Sequence, residues 1–299
     1  DQDKEVSEVD GILYKNNGVT INEIIKTKRR HFLDIQTTNW MPTWDFINPD
    51  RYGYVILPIL TGRGCVGRCT FCSPTNGRFR ARRLDYIFEE IEFLYSNYDF
   101  NHLVFMNEVF FPDEETIYKF CEEYKKIKPI RPWHCLLRVD VDPDILMVMK
   151  DAGCQLINVG IESGSNQVLK KIQKGFTVDD TRRFVEGAKK ANIMLEGSFM
   201  MANYDENADD IKKTVDFMLE TKVKGPMALT INYNGTLNYR RALKSGLITD
   251  EIEYIRSLEK VYGKSYYEVI TGCMNGDLSY LNLSALPDQE LYHTVSHEM

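Results

Sequence analysis

The feature that most constrains this chain is an alternation: short apolar, β-prone runs at 54–60, 102–107, 133–140, 156–161, 194–201 and 227–232 are each followed by an amphipathic stretch. Those stretches, at 84–95, 113–126, 143–152, 177–191, 207–220 and 237–245, read as helices. In the first, Leu84, Ile87, Phe88, Ile91 and Leu94 recur at helical spacing. The second opens on Asp113, Glu114 and Glu115 and closes on Lys125 and Lys126, matching the helix dipole. Gly153 and Gly246 stop two of the others. Pro58 fits near the end of the first strand, where no ladder donor is needed. Strands and helices in strict turn predict a parallel sheet with helices outside. Six such units fall short of the eight that close a barrel, and in barrels of this kind chemistry sits at the C-terminal ends of the strands.

Either side of this series the pattern weakens. Residues 1–50 read as a lead-in with too little periodic apolar content to be a domain. Residues 9–14 and 15–20 suggest a hairpin about Asn16-Asn17-Gly18. A basic patch follows from Lys26 to Arg30. Trp40-Met41-Pro42-Thr43-Trp44-Asp45-Phe46 then suggests an apolar plug over the core. Residues 51–246 form the core series and 247–299 a C-terminal segment, in which Cys273 is expected on a glycine-flanked loop able to reach the mouth of the sheet.

Composition excludes several classes. The net charge of −7 and pI near 5.4 argue against a nucleic-acid partner. No apolar run has the length of a membrane span. The seven cysteines do not form a disulfide framework, and their clustering suits metal binding in a reducing compartment, which points to the cytoplasm. Cys121 falls in a helix, Cys135 in a strand and Cys154 just before a strand, so these read as core.

Cys65, Cys69 and Cys72 are spaced C-x3-C-x2-C directly after the first strand. Thiolates this close suit one metal centre. Four-iron clusters usually take four cysteines, yet the next cysteine is Cys121. Three ligands leave one position open, as a catalytic metal site requires. The alternative is a structural zinc, which would need a distant Cys or His to close its tetrahedron.

The motif, with Phe71 as the aromatic of C-x3-C-x-aromatic-C, resembles the signature of the radical S-adenosylmethionine (SAM) superfamily. The resemblance implies a partial (β/α)6 TIM-type barrel and a [4Fe-4S] cluster held by Cys65, Cys69 and Cys72. SAM would chelate the fourth iron and be cleaved reductively to methionine and a 5′-deoxyadenosyl radical. It also implies an electron donor such as flavodoxin or ferredoxin, and a small-molecule or peptide substrate. At the strand ends it assigns Glu108 to the SAM amino group, Glu162 of Gly160-Ile161-Glu162-Ser163-Gly164 to the ribose, and Phe199 or Met201 to adenine. Arg138 is expected to meet an anion, whether a SAM or substrate carboxylate or Glu162 itself. Gly160-Ile161-Glu162-Ser163-Gly164 also reads as a tight strand-to-helix turn capped by Ser163.

The Asp-Gly-Ile-Leu-Tyr and Trp-Met-Pro-Thr-Trp-Asp stretches, Arg63-Gly64-Cys65, and Asn234-Gly235-Thr236 resemble the cobalamin-linked branch of the superfamily. That branch implies radical methyl transfer or rearrangement, with cobalamin held in a preceding domain marked by Asp-x-His-x-x-Gly. The sequence lacks that motif. Two readings stay open: the chain is part of a longer one, which the hairpin favours, or cobalamin is dispensed with in favour of hydrogen abstraction alone. Outside catalysis, a scaffold with a structural metal stays open too. The arginine run at 77–83 reads as a solvated loop, or as a grip on an acidic substrate or donor.

Overall fold

The computed structural model describes residues 5–15, 24–37, 41–44, 51, 55–73 and 77–298. They belong to two compact units, Asp1–Trp40 and Met41–Met299. In the first, strand β1 (Leu13–Lys15) pairs antiparallel with β2 (Ile24–Lys26), and Thr27 Oγ1 accepts from the Ile12 amide at 3.0 Å. The partner of β1 is therefore 24–26 rather than the expected 15–20. Asn16-Asn17-Gly18 lies outside the described residues, as do Trp40, Asp45 and Phe46.

The second unit is built on β3 (Ile56–Ile59), followed by the small antiparallel pair β4 (Gly62–Arg63) and β5 (Arg80–Ala81). Then come α1 (Leu84–Asn97), β6 (His102–Phe105), α2 (Glu114–Tyr124), β7 (Trp133–Leu137), α3 (Ile145–Asp151) and β8 (Cys154–Glu162). After these follow α4 (Asn166–Lys171), α5 (Val178–Ala191), β9 (Met194–Met201), α6 (Ala208–Thr221), β10 (Met227–Leu229) and α7 (Leu237–Lys244). The large sheet runs β3-β6-β7-β8-β9-β10 with every pairing parallel. Its strands keep chain order, and β3 and β10 are its edges, so the sheet is open rather than a closed barrel. The alternation in the sequence is thus the fold.

Each strand has one apolar face packed beneath the helices. Leu57, Ile59, Leu103, Phe105, Trp133, Cys135, Leu137, Ile157, Val159 and Ile161 are buried there, each such side chain contributing about 1.5–3 kcal/mol. Trp133 packs edge-on to Phe105 and Phe120, and its Nε1 donates to the Ala152 carbonyl at 2.8 Å. The opposite, concave face is accessible: Ile56, Leu60 and Met106 are exposed, and Leu136, Arg138 and Asn158 partly so. In parallel sheets both faces are usually covered. Here the accessible face is where a ligand can sit.

The C-terminal segment adds α8 (Glu251–Val261), α9 (Tyr266–Met274) and α10 (Asp288–Glu298). It is tied to the ends of β9 and β10. The Asp205 amide donates to Leu283 O and the Ala285 amide to Glu206 O, both at 2.8 Å, and Tyr280 donates its hydroxyl proton to Thr230 O at 2.7 Å. Cys273 corrects one expectation: it lies within α9, not on a loop, and its thiol is hydrogen-bonded to Tyr292 of α10.

Candidate active site

The cysteine loop leaves β3 and is pinned at both ends. Asn107, buried at the end of β6, accepts from the Thr61 amide at 3.0 Å and donates to the Gly62 carbonyl at 2.6 Å. Pairing of β4 with β5 then closes the base of the loop. Gly64 has φ +88°, and a Cβ there would lie 2.5 Å from the Arg78 carbonyl oxygen, so only glycine fits. Farther on, the Thr70 amide donates to Ile172 O just after α4, and Thr70 O accepts from the Asn238 amide in α7, each at 3.0 Å.

Cys65, Cys69 and Cys72 ride on this loop. The Gly67 amide donates to Cys65 Sγ at 3.3 Å. A Cβ placed on Gly67 would sit 3.4 Å from Cys65 Sγ and 3.6 Å from Cys69 Sγ, so two thiols flank one backbone point. Burial pushes the Cys69 thiol up, while Lys174 and then Arg138 pull it down. Burial also raises Cys72, with Cys69 and Cys65 adding to the effect. Among the described residues, no three His, Cys, Asp or Glu side chains gather where one ion could be held, as a structural zinc would require. A four-iron cluster takes each cysteine on a different iron, so three thiols on one loop, beside two cations, fit that donor set.

The strand-end residues fall around the loop. Glu108 accepts from the Gly64 amide at 3.2 Å, which places it at the entry to the cysteines. Arg138 is mostly buried, with its guanidinium on Asp140 (Nε–Oδ1 2.9 Å, Nη2–Oδ2 2.8 Å) and on the Lys174 carbonyl at 2.7 Å. Its carboxylate partner is thus Asp140, not Glu162.

Glu162 belongs instead to Lys174, which sequence reasoning missed. The ammonium donates to Glu162 Oε1 at 2.8 Å, and both side chains are only 9% exposed. It also lies 5.9 Å from the Phe71 ring centroid and 5.7 Å from that of Phe176, within cation–π range. Glu162 has φ +68°, beside a register shift between β8 and β9. That left-handed backbone is strained for a non-glycine residue. A Cβ on Gly160 would lie 2.6 Å from Glu162 Oε1 and 2.9 Å from Lys174 Nζ, so Gly160 is the space the ion pair occupies. Ser163 does not cap the next helix. It shares a hydrogen bond with Thr214 (3.0 Å), and Ser165 is the cap of α4.

Phe199 and Met201 are buried. Strand alternation puts both on the helix-packed face of β9, 1% and 0% exposed, and it is Ser198 and Met200 that alternate onto the other face. Below the loop the concave face holds a cavity of about 590 Å³ lined by Leu60, Arg63, Met106, Glu108, His134 and Asn158 among others. His134 Nδ1 and His102 Nε2 are 2.6 Å apart. Burial and then His134 push His102 down to about 4.

The sequence profile of the radical SAM superfamily matches residues 59–218. The chain belongs to the radical SAM superfamily. Enzymes of this superfamily use a [4Fe-4S] cluster and SAM. An uncharacterized methyltransferase of Pyrococcus horikoshii is 25% identical over 82% of this chain and 54% of its own length. The bacteriochlorophyllide d C-8(2)-methyltransferase of Chlorobaculum tepidum is 24% identical over 71% of this chain and 50% of its own. The chain spans about half the length of these relatives. Among solved structures, the cobalamin-dependent radical SAM enzyme OxsB with aqua-cobalamin superposes with TM-score 0.65 over 99% of this chain and 42% of its own, at 21% identity. The radical SAM methyltransferase TsrM of Kitasatospora setae, with cobalamin and a [4Fe-4S] cluster, gives 0.57 over 64% of this chain and 37% of its own, at 19% identity. These likenesses carry the open (β/α)6 architecture.

Proposed function

We propose that the chain is the radical SAM part of an enzyme that transfers a methyl group to, or rearranges, an organic substrate, small molecule or peptide. The observation that carries this reading is the cysteine loop itself, with two thiols flanking Gly67 beside Arg138 and Lys174 at the strand ends. The names of the relatives, methyltransferases in both cases above, favour methyl transfer and a place for cobalamin in a further domain. In this reading 1–50 is the lead-in, 51–246 the catalytic core and 247–299 the segment that covers β9 and β10. The oxygen-labile cluster and the free cysteines suit the cytoplasm.

Bound here, the cluster and SAM supply one-electron cleavage of the sulfonium. The chain's own residues do the rest. Cys65, Cys69 and Cys72 hold the metal. Glu108, already oriented by the Gly64 amide, offers a carboxylate to the SAM amino group. Glu162 turns toward the ribose while Lys174 neutralises it. Arg138, fixed by Asp140, lends positive charge beside the thiolates. Ser198 and Met200, rather than Phe199 and Met201, supply the contacts from β9. The concave cavity holds the substrate away from bulk water.

The test is elemental analysis after anaerobic reconstitution. About four irons and four sulfides per chain are expected, lost in Cys65→Ala, Cys69→Ala or Cys72→Ala and kept in Cys121→Ala. Zinc without sulfide in anaerobically purified protein would contradict the reading.

A further inference from the structure

A guanidinium taken out of water needs partners, and the Arg138 side chain, just past the end of β7, is only 11% exposed. Two of its three nitrogens have them. Nε and Nη2 hold the Asp140 carboxylate at 2.8–3.1 Å, and Nη2 also donates to the Lys174 carbonyl at 2.7 Å. The guanidinium carbon lies 5.5 Å from the Phe176 ring centroid. These contacts fix the plane of the group and leave Nη1 without a hydrogen bond to the described residues.

Nη1 is turned to the cysteine loop. The position a Cβ would take on Gly67 is 3.0 Å from Nη1, 3.4 Å from Cys65 Sγ and 3.6 Å from Cys69 Sγ. One cationic nitrogen and two thiols thus surround a single point. Burial works against the charge on Arg138, but Asp140 and then Cys69 and Cys65 outweigh it and raise its pKa. The ion pair is also oriented. Asp140 is 40% exposed, so water screens the acid more than the guanidinium, and the thiols face the positive end of the pair. Arg68 makes the contrast: it stands on the same loop but is exposed, and its charge is screened accordingly.

We infer that Arg138 and Asp140 together set the reduction potential of the iron–sulfur centre on Cys65, Cys69 and Cys72, Arg138 favouring the reduced state through Nη1 and Asp140 attenuating it. The inference rests on the proposed radical SAM reading. Arg138 is here a positioning residue, acting through the thiolates. When the centre takes up one electron, its donor is oxidised by one electron and no bond to the protein forms or breaks. The centre and its thiolates gain one negative charge, which a fixed, poorly screened cation stabilises. Net charge and hydrogen bonds around the sulfurs are among the factors that set such potentials.

The experiment is a redox titration with dithionite, followed by electron paramagnetic resonance at fixed pH and without SAM. It compares reconstituted wild type, Arg138→Gln, Asp140→Asn, the double variant and Arg68→Gln, each assayed for iron, sulfide and melting temperature. Arg138→Gln should disfavour the reduced centre roughly tenfold, which lowers the potential by about 59 mV for one electron. Asp140→Asn leaves the guanidinium uncompensated and should raise the potential. The double variant should fall between the two, and Arg68→Gln should titrate as wild type does. The opposite signs are decisive, because loosened packing alone would move both single variants the same way. Unchanged potentials, or shifts of one sign in both, overturn the proposal. If Arg138→Gln fails to hold the centre, Arg138→Lys, which keeps the charge, should stay near the wild-type potential, and the sign of the Asp140→Asn shift then decides. Wild type that assembles no four-iron cluster would count against the radical SAM reading and take this inference with it.

Discussion

Removing the ammonium of Lys174 leaves the Glu162 carboxylate buried without its counter-charge. Breaking one side of a buried pair typically costs about 3–5 kcal/mol, so Lys174→Met should lower the melting temperature clearly. Lys174→Met/Glu162→Gln should recover much of the loss, as a double-mutant cycle by thermal denaturation would show. Equal loss in single and double variants would mean that the pair is not coupled. Glu206 offers a pH-dependent counterpart. It is fully buried, accepts from the Asn203 amide at 2.9 Å, and burial pushes its carboxyl up from 4.5 to about 7. A carboxyl raised in the fold stabilises most below its unfolded value and loses that contribution as pH climbs through about 7. Thermal melts should therefore show wild type losing up to about 3 kcal/mol relative to Glu206→Gln between about pH 5 and about pH 8. A difference that does not change with pH would contradict this. Neither residue was legible in the sequence. Lys174 stands among other lysines in the sequence, Lys170 and Lys171, and only its packing against Phe71 and Phe176 sets it apart. Glu162 was legible through Gly160 and Gly164, because glycines beside an acid at a strand end signal close backbone approach.

At the scale of elements, the cysteine loop depends on Asn107. Asn107→Ala would strip hydrogen bonds from the Thr61 amide and the Gly62 carbonyl in a buried position, at about 1–3 kcal/mol for each group left unsatisfied. The expected outcome is a less stable protein that also retains less iron after gel filtration; full retention with unchanged stability would show the loop to be pinned elsewhere. The strands were readable because each buries one face under helices and so keeps an alternating pattern. Their ends were not. The run at 227–232 pairs only over Met227–Leu229, since β10 is an edge strand and side-chain pattern does not say where pairing stops. Helix α4 was missed because its six residues are too few to show periodicity. Phe199 and Met201 show the limit of carrying a role over by position. The strand was right, but alternation turns those two side chains into the core.

At the scale of the whole molecule, the chain joins an open six-stranded parallel sheet to a cysteine loop held across its strand ends. No described helix is long and apolar enough to cross a membrane. The sequence pointed to a metal because three cysteines at that spacing have few other uses. It did not disclose the substrate, whose shape is written in the concave face, where apolar Leu60 and Met106 and polar His134 and Asn158 come from strands far apart in the chain. The central claim is that this chain binds SAM on a cysteine-held cluster and breaks it. The most direct measurement incubates anaerobically reconstituted protein with SAM and dithionite and quantifies the products by liquid chromatography and mass spectrometry. Slow release of 5′-deoxyadenosine or S-adenosylhomocysteine, absent in Cys69→Ala, is the expected result; neither product, from protein shown to hold an intact reduced cluster and bound SAM, would contradict it.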